Sequence, residues 1–135
     1  CKNKNMKYLR RIYENSEEDL RDFCETNLAY LLDEGYELFI GDYRGSKSIS
    51  LSLGRDRIHR LINKFRWDDV KDHFIPFLVR LQNRYEIVKP NYNYMKELAF
   101  IGSFTSQYYT VQEVLDDKPI ELEYLLYDIN FFIDL

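Results

Sequence analysis

The apolar positions of this chain switch between a helical and an alternating period, and the switches divide it into elements. From Ser16 to Glu34, Leu20, Phe23, Cys24, Leu28, Leu31 and Leu32 recur at helical spacing. Ser16 stands where an N-cap belongs, and Glu17, Glu18 and Asp19 fill the first turn, where the helix dipole favours acids. Gly35 supplies the left-handed residue that ends such a helix. Residues 36–40 then predict a strand, and residues 48–53 alternate strictly, as a half-buried strand does. Turn chemistry between them, with Gly45-Ser46 as the bend, predicts a hairpin.

The pattern then repeats with variations. Ile58, Leu61, Ile62 and Phe65 predict a short amphipathic helix over 56–65. A second long helix is expected over about 69–84, capped by Asp68, with Val70, Phe74, Phe77, Leu78 and Leu81 on its apolar face. Pro76 requires either a bend in that helix or a helix that begins near it. Residues 85–88 read as a strand, residues 89–94 as a Pro- and Asn-rich loop, and residues 98–104 as a strand with Gly102 marking either a bulge or a close approach. Thr110 and Glu113 form a capping box for a short helix, which Asp117-Lys118-Pro119 ends. In the tail, Leu122, Leu125 and Leu126 suit a helix, whereas Tyr127, Ile129, Phe131 and Ile133 alternate. The reading is a short helical or extended start, then a final strand.

Self-similarity at an offset of about 50 residues links the two halves. Glu18-Asp19-Leu20-Arg21-Asp22 matches Asp68-Asp69-Val70-Lys71-Asp72, and Tyr36-Glu37-Leu38-Phe39 matches Tyr85-Glu86-Ile87-Val88. The predicted fold is therefore α+β: an antiparallel sheet of four or five strands with helices on one face and a duplicated helix–strand–strand unit. Residues 6–135 are expected to form one domain, with repeat-like halves at 16–53 and 68–105 and an extension over 106–135. Residues 1–5, ahead of Met6, are expected to be a leader outside the fold.

Composition narrows the function classes. At 45% hydrophobic and 31% charged, the chain belongs to the globular class rather than the disordered one. Its longest apolar run, Phe74–Val79, is far short of the roughly 20 residues of a membrane span. Cys1 and Cys24 make no disulfide framework, which points to a reduced, cytoplasmic setting, and the short apolar runs and acidic charge point to no membrane partner. The net charge of −4 argues against a general nucleic-acid coat. It is unevenly spread. Residues 55–96 carry 10 basic and 5 acidic side chains, whereas residues 97–135 carry 1 and 8.

Candidate chemistry is sparse. Asp69 and His73, with Asp72 beside them, could hold a metal from one helix face, but helix-end acids have an electrostatic reason to be there. The same reason covers Glu17/Glu18, Asp68/Asp69 and Asp116/Asp117 as candidate catalytic carboxylates. No catalytic, cofactor or metal residue is predicted, and the chain reads as a non-enzyme. The strongest candidate surface is the basic segment with Arg55, Arg57, Arg60, Lys64 and Arg66, flanked by Tyr92 and Tyr94 in the Asn-rich loop. It is either a solvated face or a contact for an acidic protein or for phosphates and bases. Tyr108 and Tyr109 are a second aromatic candidate, with one of the pair expected in the core.

The stretch Met6-Lys7-Tyr8-Leu9-Arg10-Arg11-Ile12-Tyr13-Glu14-Asn15 and the pattern Leu31-Leu32-Asp33-Glu34-Gly35-Tyr36-Glu37-Leu38 resemble small proteins of unassigned function from tailed bacteriophages with AT-rich genomes. The resemblance implies a mobile-element origin and a bacterial cytoplasm, and it transfers no functional residues. The expected function is a noncatalytic protein-interaction module without cofactors. The alternative is a weak nucleic-acid binder acting through residues 55–66.

Overall fold

In a computed structural model of the chain, the structure describes residues 18–53, 63–95, 105–118 and 125–134. Their order is α1 (18–27), α2 (Ala29–Asp33), β1 (Glu37–Tyr43), β2 (Ser46–Ser52), α3 (Trp67–Gln82), β3 (Glu86–Met95), β4 (Thr105–Tyr108), α4 (Val111–Leu115) and β5 (Leu125–Asp134). The five strands form an open sheet in the order β1-β2-β5-β3-β4, and every neighbouring pair is antiparallel. The α+β class and the antiparallel sheet follow the sequence pattern.

Local chemistry explains where the elements begin and end. Leu20, Cys24, Leu28 and Leu31 form the buried stripe of α1 and α2. The helix is irregular at Leu28 (φ −110°), where the Asn27 side-chain amide donates to the Phe23 carbonyl at 2.8 Å and competes for the backbone acceptor. Gly35 ends α2 at φ +101°: its N–H donates to Leu32 O, and the Tyr36 N–H reaches back to Leu31 O. This pair of bonds is a Schellman closure, and it needs the left-handed residue that glycine supplies. Arg44 and Gly45, both at positive φ, make the two-residue turn between β1 and β2. The bend thus lies one residue earlier than expected.

Three sequence expectations are corrected here. The second long helix starts at Trp67 rather than near 69, its N-cap is Arg66 rather than Asp68, and Asp69 accepts the Arg66 N–H at 3.0 Å. This α3 helix runs unbroken through Pro76. Pro76 and Asp72 are both exposed, so water can satisfy the Asp72 carbonyl that lacks its usual donor. The segment 89–94 is not a loop but part of β3, because the backbone of Asn91 to Tyr94 is paired by β5 on one side and by β4 on the other. A register shift between Val88 and Asn91, with Lys89 at φ +53°, absorbs Pro90 as an irregularity of the strand.

The predicted helix over 56–65 lies outside the described residues up to 62. Beyond that, Phe65 is extended and bridges Leu126. The predicted strand over 98–104 and the Ser16 cap also lie outside them. Of the second repeat-like half, 68–105, the described residues hold α3 and β3, and its predicted second strand lies outside them. The halves meet β5 differently: β2, the second strand of the first half, flanks it on one side, and β3, the first strand of the second half, flanks it on the other.

One face of the sheet carries Ile49, Leu51, Tyr92, Ile129, Phe131 and Ile133, all buried with the helices' apolar stripes. Aromatic rings thread this core. Phe74 and Phe77 each lie 6.2 Å from Phe131, and Trp67 lies 5.8 Å from Phe74 and 5.1 Å from Tyr92. The opposite face carries a polar cluster as well as the Tyr43–Phe132 ring pair. Asn93 and Asn130 both donate to the Asp128 carboxylate, at 2.5 and 3.1 Å, and the Ser106 hydroxyl donates to the Asn93 carbonyl. Asn93 faces Asp128 and Ser106 in the strand register, so these bonds also oppose a slip of β3.

Candidate functional site

The site begins with a mismatch in strand length. β3 has ten residues, but β4 pairs only with Asn91 to Tyr94. At Tyr109 the chain leaves the sheet, its N–H donating to Pro90 O at 2.8 Å, and turns into α4. Glu86 to Val88 therefore have β5 on one side and, among the described residues, no strand on the other.

A groove of about 670 Å³ lies along this open edge. Its walls are Ile87, Val88, Pro90, Tyr109 and Val111, and Tyr108, Lys89 and Glu113 stand around them. Tyr108 is 63% exposed. Tyr109 packs edge-on to Tyr92, 5.2 Å between ring centroids, which ties one wall through Trp67 into the core.

Two caps fix the far wall. Thr110 and Glu113 bond reciprocally, the Glu113 N–H donating to Thr110 Oγ1 at 3.1 Å and the Thr110 N–H to Glu113 Oε1 at 2.9 Å. This is the capping box expected from the sequence. At the other end Asp117 adopts φ +59°, and the Asp117 and Lys118 N–H groups donate to Val114 O and Glu113 O. The Asp117 carboxylate accepts from Trp67 Nε1 at 2.6 Å and Lys71 Nζ at 3.0 Å, so α4 is strapped to the start of α3. Burial pushes this carboxyl up, but the indole and ammonium donors outweigh it and hold the group below its usual range. Lys71, bonded to both Asp117 and Asp68, is raised to about 12.

The predicted site residues are dispersed. Arg55, Arg57 and Arg60 lie outside the described residues. Arg66 is exposed at the α3 N-cap, and the Lys64 ammonium sits 5.5 Å above the Tyr127 ring. Tyr92 and Tyr94 are corrected from surface to core: they are 0% and 5% exposed, because their i, i+2 spacing in a strand turns both toward the helices. Neither is available to stack on a base.

The other candidates are structural as well. Asp69 accepts at the α3 cap, and the His73 ring stacks on Tyr30 at 4.2 Å. Among the described residues, no three of His, Cys, Asp and Glu converge as a metal site. Burial raises the Cys24 thiol to about 12, far from the range of a reactive thiolate. No described helix is long and apolar enough to cross a membrane.

Sequence reasoning did mark Tyr108 and Tyr109, and the structure exposes the first and half-buries the second. It missed Ile87, Lys89, Pro90 and Val111. The Lys-Pro-Asn run was the available signal for a strand irregularity, but it carries the same residues as a loop. Comparison with protein-family models, with curated proteins and with solved structures finds no match for the chain.

Proposed function

We propose that the chain is a noncatalytic protein-interaction module that holds an extended segment of its partner against the open half of β3. The observation that supports this reading is the coincidence of two features: a sheet edge that no strand covers among the described residues, and an apolar groove beside it. An open edge offers backbone donors and acceptors to an added strand, and a neighbouring groove takes its side chains. The groove walls are held by caps and core aromatics, so little ordering is needed on binding.

Site-directed photo-crosslinking tests the reading. A benzophenone side chain at position 108, beside the groove, is compared with one at position 30, on α2. Protein crosslinked from cell lysate at 108 and not at 30, unchanged by nuclease, is the expected result. Equal crosslinking at both positions, or nucleic acid in the adduct, would refute it.

A further inference from the structure

We infer that the chain pairs with a second copy of itself through β1, antiparallel and about a two-fold axis at Ile40. This contact is separate from capture at β3 and does not rest on it. β1 stands at one end of the sheet order, and among the described residues no strand lies on its outer side. All seven of its residues keep unbroken register with β2, with neither the proline nor the bulge that blunts many edge strands.

Gly41 is the observation that points to a copy. It stands in mid-strand, where glycine weakens a sheet and often marks the close approach of another group. The single chain gives no reason for it: its φ is not positive, and a Cβ there would meet nothing within 4 Å. Leu38 and Ile40 pack toward the core, so Phe39, Gly41 and Tyr43 share the opposite face. Phe39 is 36% exposed there. A copy paired about Ile40 sets the partner's Phe39 directly across from Gly41, and the exchange is reciprocal. An aromatic ring across from an edge glycine covers its bare backbone.

Backbone polarity and charge fit the same register. The two-residue turn closes on a hydrogen-bonded Tyr43–Ser46 pair, and such pairs alternate along the hairpin. Leu38, Ile40 and Asp42 therefore aim their N–H and C=O groups away from β2. With Ile40 opposite its own copy, Leu38 meets the partner's Asp42, and all three residues are bonded. A shift of two residues either way leaves one of the three beyond the partner's strand. Glu37 falls opposite the partner's Tyr43, and Asp42 carries Lys47 as its counter-ion, so no like charges face each other. The net charge of −4 on each copy opposes association, so added salt is expected to strengthen it.

The test is sedimentation velocity of the full chain over a wide concentration range, with amide hydrogen exchange read at each concentration. The dimer is expected to grow with concentration, and exchange at Leu38, Ile40 and Asp42 to slow in step. Phe39→Lys is expected to give a monomer. Gly41→Val fills the seat of the partner's ring and is expected to weaken the dimer about tenfold. It is expected to keep or raise the melting temperature, since valine suits a strand and has room in the single chain. Val79→Lys, at an exposed apolar position on α3, is expected to change nothing.

A monomer at every concentration would overturn the inference, and so would a dimer that Gly41→Val leaves intact. Slowing at Glu86 to Val88 in place of Leu38, Ile40 and Asp42 would put the contact at the other edge and overturn it too.

Discussion

At the scale of single residues, the informative groups are polar ones in apolar surroundings. The Tyr92 hydroxyl is buried, its burial holds the phenol well above its usual pKa, and it has no hydrogen-bond partner among the described residues. Leaving a buried hydroxyl unpaired costs about 1–3 kcal/mol. Tyr92→Phe keeps the rings on Trp67 and Tyr109 and is expected to stabilise the fold by about 1 kcal/mol in urea melts. Asp117 is the opposite case, accepting an indole and an ammonium. Because its pKa is lowered in the folded state, its contribution is present above the unfolded value of 3.8 and is lost as pH falls through the folded one. Asp117→Asn keeps an acceptor for Trp67 and is expected to remove this acid-side loss from the stability–pH profile. Asp117→Gly relieves the positive φ but leaves the Trp67 N–H without its acceptor, and is expected to cost about 1–2 kcal/mol.

At the scale of elements, the two hairpin strands, the capped helix α4 and the alternating strand β5 were all legible, because each is specified by its own residues. Gly35 and Gly45 mark their turns, Thr110 and Glu113 name their helix, and Ile129, Phe131 and Ile133 keep period two. The second half of β3 was illegible for the converse reason. Asn91 and Asn93, next to Pro90, favour a loop locally, and only pairing on both sides, with Asp128 and Ser106 satisfying Asn93, makes them a strand. The groove inherits that illegibility, since it exists only where β4 stops short of β3. α3 shows tertiary context overriding a local breaker. Val70, Phe74, Phe77, Leu78 and Leu81 are 0–1% exposed on both sides of Pro76, so burial holds the helix together across it. Pro76→Ala is expected to raise stability by about 2 kcal/mol in thermal or denaturant unfolding, the helix gain less the lost stiffening of the unfolded chain.

At the scale of the whole molecule, β5 decides the architecture. It is the last described element, yet it lies between β2 and β3, so the sheet becomes continuous only when residues 125–134 are in place. Deleting residues 125–134 is expected to abolish cooperative unfolding, and Phe131→Ala, which empties the junction of Phe74 and Phe77, to cost about 3–5 kcal/mol. The same arrangement gives the molecule its uneven edge, because β4 covers only the second half of β3. Residue-resolved amide hydrogen exchange on the unliganded protein examines that edge directly. A strand paired on both sides has every N–H bonded, whereas a strand paired on one side has every second one bonded. Uniform slow exchange across Asn91 to Tyr94, with alternating slow and fast exchange across Glu86 to Val88, is the predicted result. Uniform protection across Glu86 to Val88 would mean that the edge is already covered, and would contradict the account.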